Sequence, residues 1–310
     1  MLGDLRETAA LRSSVVGALE ARIDFSGTGE QALATARTEL GNTLRLLGRY
    51  EEAERTLRRA LDASTQATDP RTGAAACNVL GILCKDLGRY IEADEHYDAA
   101  LQRLRAAPTD MVALAGLEHN LAGLALARGE HTRSEIHSRR AIELRVQAVG
   151  PDHPDVAADQ SVLAAALIAQ GRLDEAQSLY QTALNTFTGC YGSSHYEVAV
   201  NLNGLAAVYR ARNDAVGAEE FQRRALAIKE QVLGCDHPEI ANLLNNLGVS
   251  LRQRGRLADA PRSFRRAADI YSRALGADHP HAVVCQGNLS DCLDRIARAD
   301  TSTGSTVGRH

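Results

Sequence analysis

The stretch LGCDHPEIANLLNNLG contains four side chains that could bind a metal or take part in catalysis within five residues: Cys235, Asp236, His237 and Glu239. A thiol, an imidazole and two carboxylates are groups that bind zinc or support a nucleophile. Two polar residues, Asn245 and Asn246, follow in a run that is otherwise apolar. The stretch is therefore a candidate for an enzyme or metal site, and a structural role is the alternative.

The same histidine position recurs along the chain at a constant step of 42 residues: His153, His195, His237 and His279. A fixed period of this length indicates stacked supersecondary units. The Asp-His-Pro motif around three of these histidines predicts a helix start with Pro in the first turn. One histidine per stacked unit lies too far from the next to share a metal ion. This spacing argues against a metal site. The helix-start interpretation explains the other residues of the motif and leaves the recurring histidine unexplained.

Three further markers repeat with the motif. A glycine or asparagine, which tolerates a left-handed backbone, predicts a tight turn between two helices: Gly48, Gly88, Gly129, Gly171, Asn213 and Gly255. A leucine marks the first helix of each unit, helix A: Leu40, Leu80, Leu121, Leu163, Leu205 and Leu247. A small residue marks the second helix, helix B: Ala60, Ala100, Ala141, Ala183, Ala225 and Ala267. Each unit is thus predicted to be helix A, a turn, helix B and a linker.

Composition agrees with an all-α protein. The chain has 310 residues, 45% of them hydrophobic but only 4% aromatic, so residues that favour strands are scarce. A net charge of -4 gives no reason to expect nucleic acid or a membrane surface as a partner. Cys77, Cys84, Cys285 and Cys292 fall at core positions of the repeat and are predicted to be small buried hydrophobes. The chain shows no secretory leader, and we expect a cytoplasmic protein without metal or cofactor.

The pattern resembles tetratricopeptide repeats, in the 42-residue form found in kinesin light chains. The stretch Leu233 to Ala268 carries the matching residues, LG, DHP, LLNNLG, GRL and RRA. The resemblance implies a right-handed α-solenoid of six tandem helix-turn-helix repeats plus a C-terminal capping helix. The predicted boundaries are an N-terminal helical cap at 1–31, the solenoid at 32–297 and a disordered polar tail at 298–310.

The resemblance also implies that helix A lines a concave groove. We predict a groove site from the polar and central apolar positions: Asn42, Arg45, Asn78, Lys85, His119, Asn120, Leu126, Ile168, Asn203, Arg210, Asn242, Asn245, Asn246 and Arg252. Asparagine offers a donor and an acceptor to a peptide backbone, and Arg or Lys binds carboxylates. Leu126 and Ile168 are predicted to form an apolar anchor. The predicted function is a protein-interaction scaffold that binds an extended, partly acidic peptide segment and has no catalytic residue.

Two alternatives stay open. The apolar centre of the groove, which includes Gly116 and Gly123, could hold a small molecule, with His119 as a ligand contact or an acid/base group. Glu118 is the only carboxylate that the sequence places beside this histidine, which weakens the enzyme hypothesis. The chain could also be the sensing subunit of a larger effector system. The partner and the oligomeric state do not follow from the sequence.

Overall fold

The computed structural model describes residues 2–21, 27–65, 67, 69–106 and 110–304, which form fourteen helices. In chain order they are α1 (Leu2–Glu20), α2 (Gly27–Leu46), α3 (Tyr50–Ser64), α4 (Pro70–Asp86), α5 (Tyr90–Arg105), α6 (Met111–Ala127), α7 (His131–Val149), α8 (Pro154–Ala169), α9 (Leu173–Tyr191), α10 (Tyr196–Ala211), α11 (Ala215–Leu233), α12 (Pro238–Gln253), α13 (Ala260–Leu275) and α14 (Pro280–Gly304). These residues contain no β-strand, so the predicted all-α class is confirmed. The even-numbered helices from α2 to α12 are the six predicted helix A segments, and α14 follows as the predicted terminal helix.

The turn between helix A and helix B has the predicted backbone in every repeat. The five marker glycines have φ between 73° and 78°, and Asn213 has φ 62°. A side chain with a Cβ rarely adopts this left-handed region, which is why glycine or asparagine occupies the position. The turns therefore follow from single residues.

The linker between repeats starts helix A through its histidine. His153, His195 and His237 are the N-cap residues of α8, α10 and α12, and each imidazole Nδ1 accepts a hydrogen bond of 3.2 Å from the backbone N–H two residues later. His279 makes the same bond at 3.3 Å ahead of α14. An N-cap side chain satisfies a helix N–H that has no intrahelical partner. The sequence interpretation assigned the histidine no role in the helix start, and the structure shows that it is the cap.

The core lies between the helices at the marker positions. All six marker leucines and all six marker alanines are buried. In repeat two, helices α4 and α5 approach most closely at Gly81, where an added Cβ would lie 2.4 Å from Cε1 of Tyr97. Gly248 and Phe264 repeat this arrangement in repeat six, with a closest distance of 2.6 Å. The four cysteines predicted to be buried hydrophobes are buried free thiols, which confirms that prediction.

The chain divides into two compact units, residues 1–170 and 171–310. The first, called unit 1 below, contains α1 to α8, and the second, unit 2, contains α9 to α14. Within unit 1, Val16 of α1 shares an apolar cluster with Leu33, Leu40 and Leu44 of α2. This cluster covers the apolar face of the first repeat.

Both ends of the chain differ in detail from the predicted boundaries. Helix α1 ends at Glu20, and α2 already begins at Gly27, within the predicted 1–31 cap. The predicted disordered tail, 298–310, starts inside α14, which continues to Gly304. Residues 305–310 lie outside the described residues. Within the described ranges, no helix is both long and apolar enough to cross a bilayer.

Candidate peptide-binding faces of the two units

The predicted groove residues occupy equivalent faces of the helix A segments, and we describe each unit separately. Unit 1 carries Asn42 and Arg45 on α2, Asn78 and Lys85 on α4, His119, Asn120 and Leu126 on α6, and Ile168 on α8. Unit 2 carries Asn203 and Arg210 on α10, and Asn242, Asn245, Asn246 and Arg252 on α12. We call these two sets the helix-A faces.

In unit 1 the arginine predicted to bind a ligand carboxylate already has one. Arg45 Nη1 donates to Asp86 Oδ2 of α4 at 2.7 Å, and Arg45 Nε donates to Asn42 Oδ1 at 3.1 Å. Asp86 was not among the predicted site residues. Arg45 therefore ties α2 to α4, and it would have to exchange this partner to bind a ligand.

The asparagines of unit 1 bond to each other. Asn120 Nδ2 of α6 donates to Asn78 Oδ1 of α4 at 2.8 Å, which links neighbouring helix A segments. Lys85, two turns along the same face of α4, makes no ion pair with any residue in the described ranges. Its Nζ lies 3.6 Å from the position that a Cβ on Gly123 would take. Among the described residues of this face, Lys85 is therefore a cation without an ion pair, and it lies beside a small residue of the next helix A.

His119 has a carboxylate partner that the sequence analysis missed. Its Nδ1 lies 2.8 Å from Oδ1 of Asp159 on α8, and Asp159 is completely buried. Arg145 of α7 donates from Nε to the other oxygen of Asp159 at 3.2 Å and also bonds Asp155 at 3.3 Å. A buried carboxylate is stable only when it is paired, and both of these oxygens are. His119 is thus held by a network that joins three helices.

Glu118, the carboxylate that the sequence analysis placed beside His119, serves a different histidine. Its Oε2 lies 2.6 Å from His137 Nδ1, and its Oε1 lies 3.2 Å from Arg140 Nε, both on α7. Glu118 is therefore not the carboxylate that His119 bonds. Glu118 bonds α7 and His119 bonds α8, because successive residues on a helix lie on different faces.

The apolar centre of the unit 1 face contains Leu126 on α6 and Ile168 on α8, which are both half-buried. A Cβ on Gly116 would have no heavy atom within 4 Å, and a Cβ on Gly123 would meet only Lys85. This part of α6 therefore has open space beside its two glycines.

In unit 2 most of the predicted polar residues are also paired. Asn288 Nδ2 of α14 donates to Asn245 Oδ1 at 2.9 Å, the same link between neighbouring helix A segments as in unit 1. Arg252 Nη1 donates to Asp291 Oδ2 at 2.7 Å. Asn246 Nδ2 donates to Asn242 Oδ1 at 3.0 Å within α12. The first two of these bonds link α12 to α14.

Two residues of α10 remain with buried polar atoms that lack a partner. Asn203 Oδ1 and Arg210 Nη1 are buried and make no hydrogen bond with any described residue. In the register of the Asn78–Asn120 bond, the donor for Asn203 would be Asn246, but its amide bonds Asn242 instead. Burial lowers the pKa of the Arg210 guanidinium from its usual value, because removal from water disfavours the charged form. Asn203 and Arg210 are seven residues apart, which is two helical turns or roughly 10 Å along one face.

Asp159 and Arg145 are the residues that sequence reasoning missed, and a signal for them existed. The positions equivalent to Asp159 at the 42-residue step are Leu117, Asn201, Leu243 and Cys285, which are all buried. A carboxylate in a register that is buried in the other repeats predicts a buried partner. Among the described residues, no group of three or more histidine, cysteine or acidic side chains is arranged to hold a metal ion.

Comparisons with known proteins identify the repeat type. A family model described as tetratricopeptide repeat matches residues 113–188, 160–231, 197–271 and 239–302, and two further tetratricopeptide repeat models match 31–71 and 74–103. None of the curated proteins matches this chain. The matches confirm the resemblance found in the sequence.

Solved structures of three proteins are similar in fold. A Rap protein complexed with competence and sporulation factor has a TM-score of 0.72 at 13% identity, over 95% of this chain and 82% of that one. NprR in complex with its cognate peptide NprX has a TM-score of 0.68 at 13% identity, over 94% and 81%. BtubC (BKLC) from P. vanneervenii has a TM-score of 0.51 at 22% identity, over 75% and 92%. At these identities the likeness concerns the fold alone.

Proposed function

This chain belongs to the tetratricopeptide repeat family, and on that premise we propose that it is an interaction scaffold whose helix-A face binds an extended, partly acidic segment of a protein partner. The observation that carries the proposal is the pair of unpartnered atoms on α10, Asn203 Oδ1 and Arg210 Nη1. A buried donor or acceptor without a partner costs about 1–3 kcal/mol, and more when it is charged. A ligand that satisfies both atoms recovers this free energy.

The chemistry of the two atoms defines the ligand. Asn203 Oδ1 accepts a hydrogen bond, which a peptide backbone N–H supplies whatever its side chain. Arg210 Nη1 donates, and a carboxylate is the acceptor that best compensates a desolvated guanidinium. An extended chain advances about 3.3 Å per residue, so the roughly 10 Å between the two positions corresponds to about three residues. We expect an Asp or Glu about three residues from the backbone contact.

The other predicted residues contribute less to binding in this proposal. Arg45 and Arg252 are neutralised by Asp86 and Asp291, and they would lose one ion pair for each one gained. In unit 1, Lys85 has no such partner among the described residues, and the face of that unit, taken by itself, offers this cation together with Leu126 and Ile168 as apolar contacts. Two of the similar structures, those of Rap and NprR, contain a bound factor or peptide, which supports a peptide as the ligand here.

The proposal is tested with peptides selected from a random display library on the wild-type protein and then synthesised. We expect Arg210→Gln and Asn203→Ala to weaken binding of the selected peptides at least tenfold, measured by fluorescence polarisation. Replacing the acidic residue of the peptide by its amide should weaken wild-type binding and leave Arg210→Gln unaffected.

The matched control is Arg212→Gln, because Arg212 follows on the same segment and already bonds Asp174 and Gln177. Its affinity should stay within twofold of wild type. Unchanged binding by both Arg210→Gln and Asn203→Ala would refute this function for the α10 face. The cytoplasmic location stays the prediction made from the sequence.

A further inference from the structure

Helix B of repeat six starts later than any other helix B. In repeats one to five it begins two residues after the left-handed turn residue, as Tyr50 follows Gly48. In repeat six, α13 begins at Ala260, five residues after Gly255. Pro261 explains the delay, because a start at Leu257 would place it in the helix interior, without an N–H and against the Leu257 carbonyl. With the start at Ala260, Pro261 lies in the first turn, where it is tolerated.

The delayed start leaves the amino end of α13 open. Asp259 is the N-cap residue, but its side chain does not cap the helix and instead bonds Arg256 Nε at 2.7 Å. The N–H groups of a first helical turn have no intrahelical partner and attract anions. Ser263 in this first turn is 8% exposed, and its hydroxyl makes no hydrogen bond within the described residues. A hydroxyl of a largely buried serine, without an acceptor among the described residues, thus lies at the same helix end as these backbone N–H groups.

This helix end opens into a basic cleft of 390 Å³ in unit 2, called the α13 cleft. Its floor is apolar and its rim is charged, and it is lined by Arg223, Leu244, Leu247, Leu251, Arg256, Asp259, Arg262, Ser263 and Arg266. Four arginines and one aspartate therefore face the same space. The floor belongs to α12, and the rim belongs to α11, α13 and the turn before α13.

Carboxylates neutralise the cleft only in part. Glu219 bonds Arg223, Arg254 and Arg256, and Glu230 bonds Arg266 at 2.7 Å. With Asp259, the cluster holds three carboxylates against five guanidinium groups, because Arg254 joins the four that line the cleft. Arg262 has no carboxylate partner among the described residues. An excess of two positive charges remains.

We infer that the α13 cleft is a binding site for a phosphate monoester. The Arg262 guanidinium, the Ser263 hydroxyl and the first-turn N–H groups of α13 are donors on neighbouring residues, and a tetrahedral dianion has enough oxygens to accept from all of them. A monocarboxylate has one charge and two oxygens and leaves part of this set unused. The apolar floor of Leu244, Leu247 and Leu251 receives the organic group of the ester.

The test is titration of the full chain with phenyl phosphate at constant ionic strength, followed by isothermal calorimetry. We expect saturable binding that Ser263→Ala and Arg262→Ala each weaken about tenfold. The matched control is Arg265→Ala, because Arg265 is an exposed arginine of the same helix that does not line the cleft. Its affinity should change less than twofold. Equal losses in Arg262→Ala and Arg265→Ala would show diffuse charge attraction and overturn the site.

A second variant tests the origin of the site. Pro261→Ala permits α13 to begin at Leu257, which buries the open helix end, so helicity should rise while phenyl phosphate binding falls about tenfold. Acetate that competes as well as phenyl phosphate would overturn the phosphate assignment. The phosphate ester could belong to a phosphorylated protein or to a small metabolite, and a phosphoserine peptide in a parallel titration separates the two. Tighter binding of this peptide than of phenyl phosphate indicates a phosphorylated protein, and weaker binding indicates a small metabolite.

Discussion

The helix-A faces of units 1 and 2 use the same repeat positions in opposite ways. His119 and Leu126 in unit 1 are equivalent to Asn203 and Arg210 in unit 2, two repeat steps of 42 residues apart. His119 is held by the buried Asp159, and Leu126 needs no partner, whereas Asn203 and Arg210 leave polar atoms buried and unbonded. The comparison teaches that a repeat position becomes structural or available for a ligand according to the residue that the neighbouring helix presents to it.

The first prediction concerns the hydrogen-bond network of Asp159 in unit 1, and it has the largest expected effect. Arg145→Ala leaves the completely buried Asp159 with only His119 as a partner. We expect the free energy of unfolding to fall by about 3 kcal/mol, because an uncompensated buried charge remains. Urea denaturation followed by circular dichroism measures the loss.

Arg139→Ala is the control for Arg145→Ala. Arg139 lies on the same helix, is exposed and pairs with Glu135 four residues away, an arrangement worth less than about 0.5 kcal/mol. Equal losses in the two variants would contradict the structural role assigned to the Asp159 network.

The second prediction concerns the equivalent ion pair of unit 2. Lys229 and Glu239 occupy the positions of Arg145 and Asp155, and their atoms Nζ and Oε2 are 2.5 Å apart. Burial alone would raise the pKa of Glu239, but the charge and hydrogen bond of Lys229 and the hydroxyl of Tyr196 outweigh it and hold this pKa below its usual value. A carboxylate with a lowered folded-state pKa contributes stability above its unfolded pKa, about 4.3, and loses it as pH falls through the folded pKa.

Lys229→Met should therefore lower the free energy of unfolding by about 2 kcal/mol at pH 7, because it removes a hydrogen bond to a charged group. The difference from wild type should shrink as the pH falls below about 4. Urea denaturation across this pH range measures both effects. A difference that stays constant with pH would contradict the role of Glu239.

The third prediction removes the unpartnered guanidinium atom from the helix-A face of unit 2. Arg210→Leu places at this position the residue that unit 1 has at 126, and it removes a buried guanidinium atom without a partner. We expect a gain of about 1 kcal/mol in the free energy of unfolding together with loss of peptide binding. Arg252→Leu, which breaks the pair with Asp291, should show no such gain. A destabilised Arg210→Leu would mean that the guanidinium supports the fold.

The fourth prediction sharpens the comparison with a feature that the two units share. His153 caps α8 in unit 1, and His237 caps α12 in unit 2, with equal hydrogen bonds. Each change to Ala should cost about 0.5 kcal/mol, measured by thermal unfolding. A much larger loss in one unit would indicate that its histidine has a role beyond capping.

The sequence was sufficient to predict the elements of the fold and their order. A left-handed backbone demands Gly or Asn, so six turn positions were visible without coordinates, and all six have positive φ. The 42-residue step and the marker leucines placed every helix A. The sequence also predicted which residues share a face, because helical periodicity alone determines this.

The sequence could not predict which polar side chains of that face bond to each other. Nothing in the string of residues separates Arg45 and Arg252, which are bound by Asp86 and Asp291, from Arg210, which is not. The same limit hid Asp159 from His119, since these residues are 40 positions apart and meet only where α6 and α8 pack together.

By itself the sequence determined the helices, their turns, the repeat register and the buried leucine and alanine positions, because each depends on local backbone preference or on periodic apolar spacing. Only the tertiary structure decided which polar side chains bond to each other and which, on α10 and at the start of α13, lack a partner among the described residues. The physical reason is that a hydrogen bond needs two groups about 3 Å apart, and that distance is set by packing between helices that are far apart in the chain.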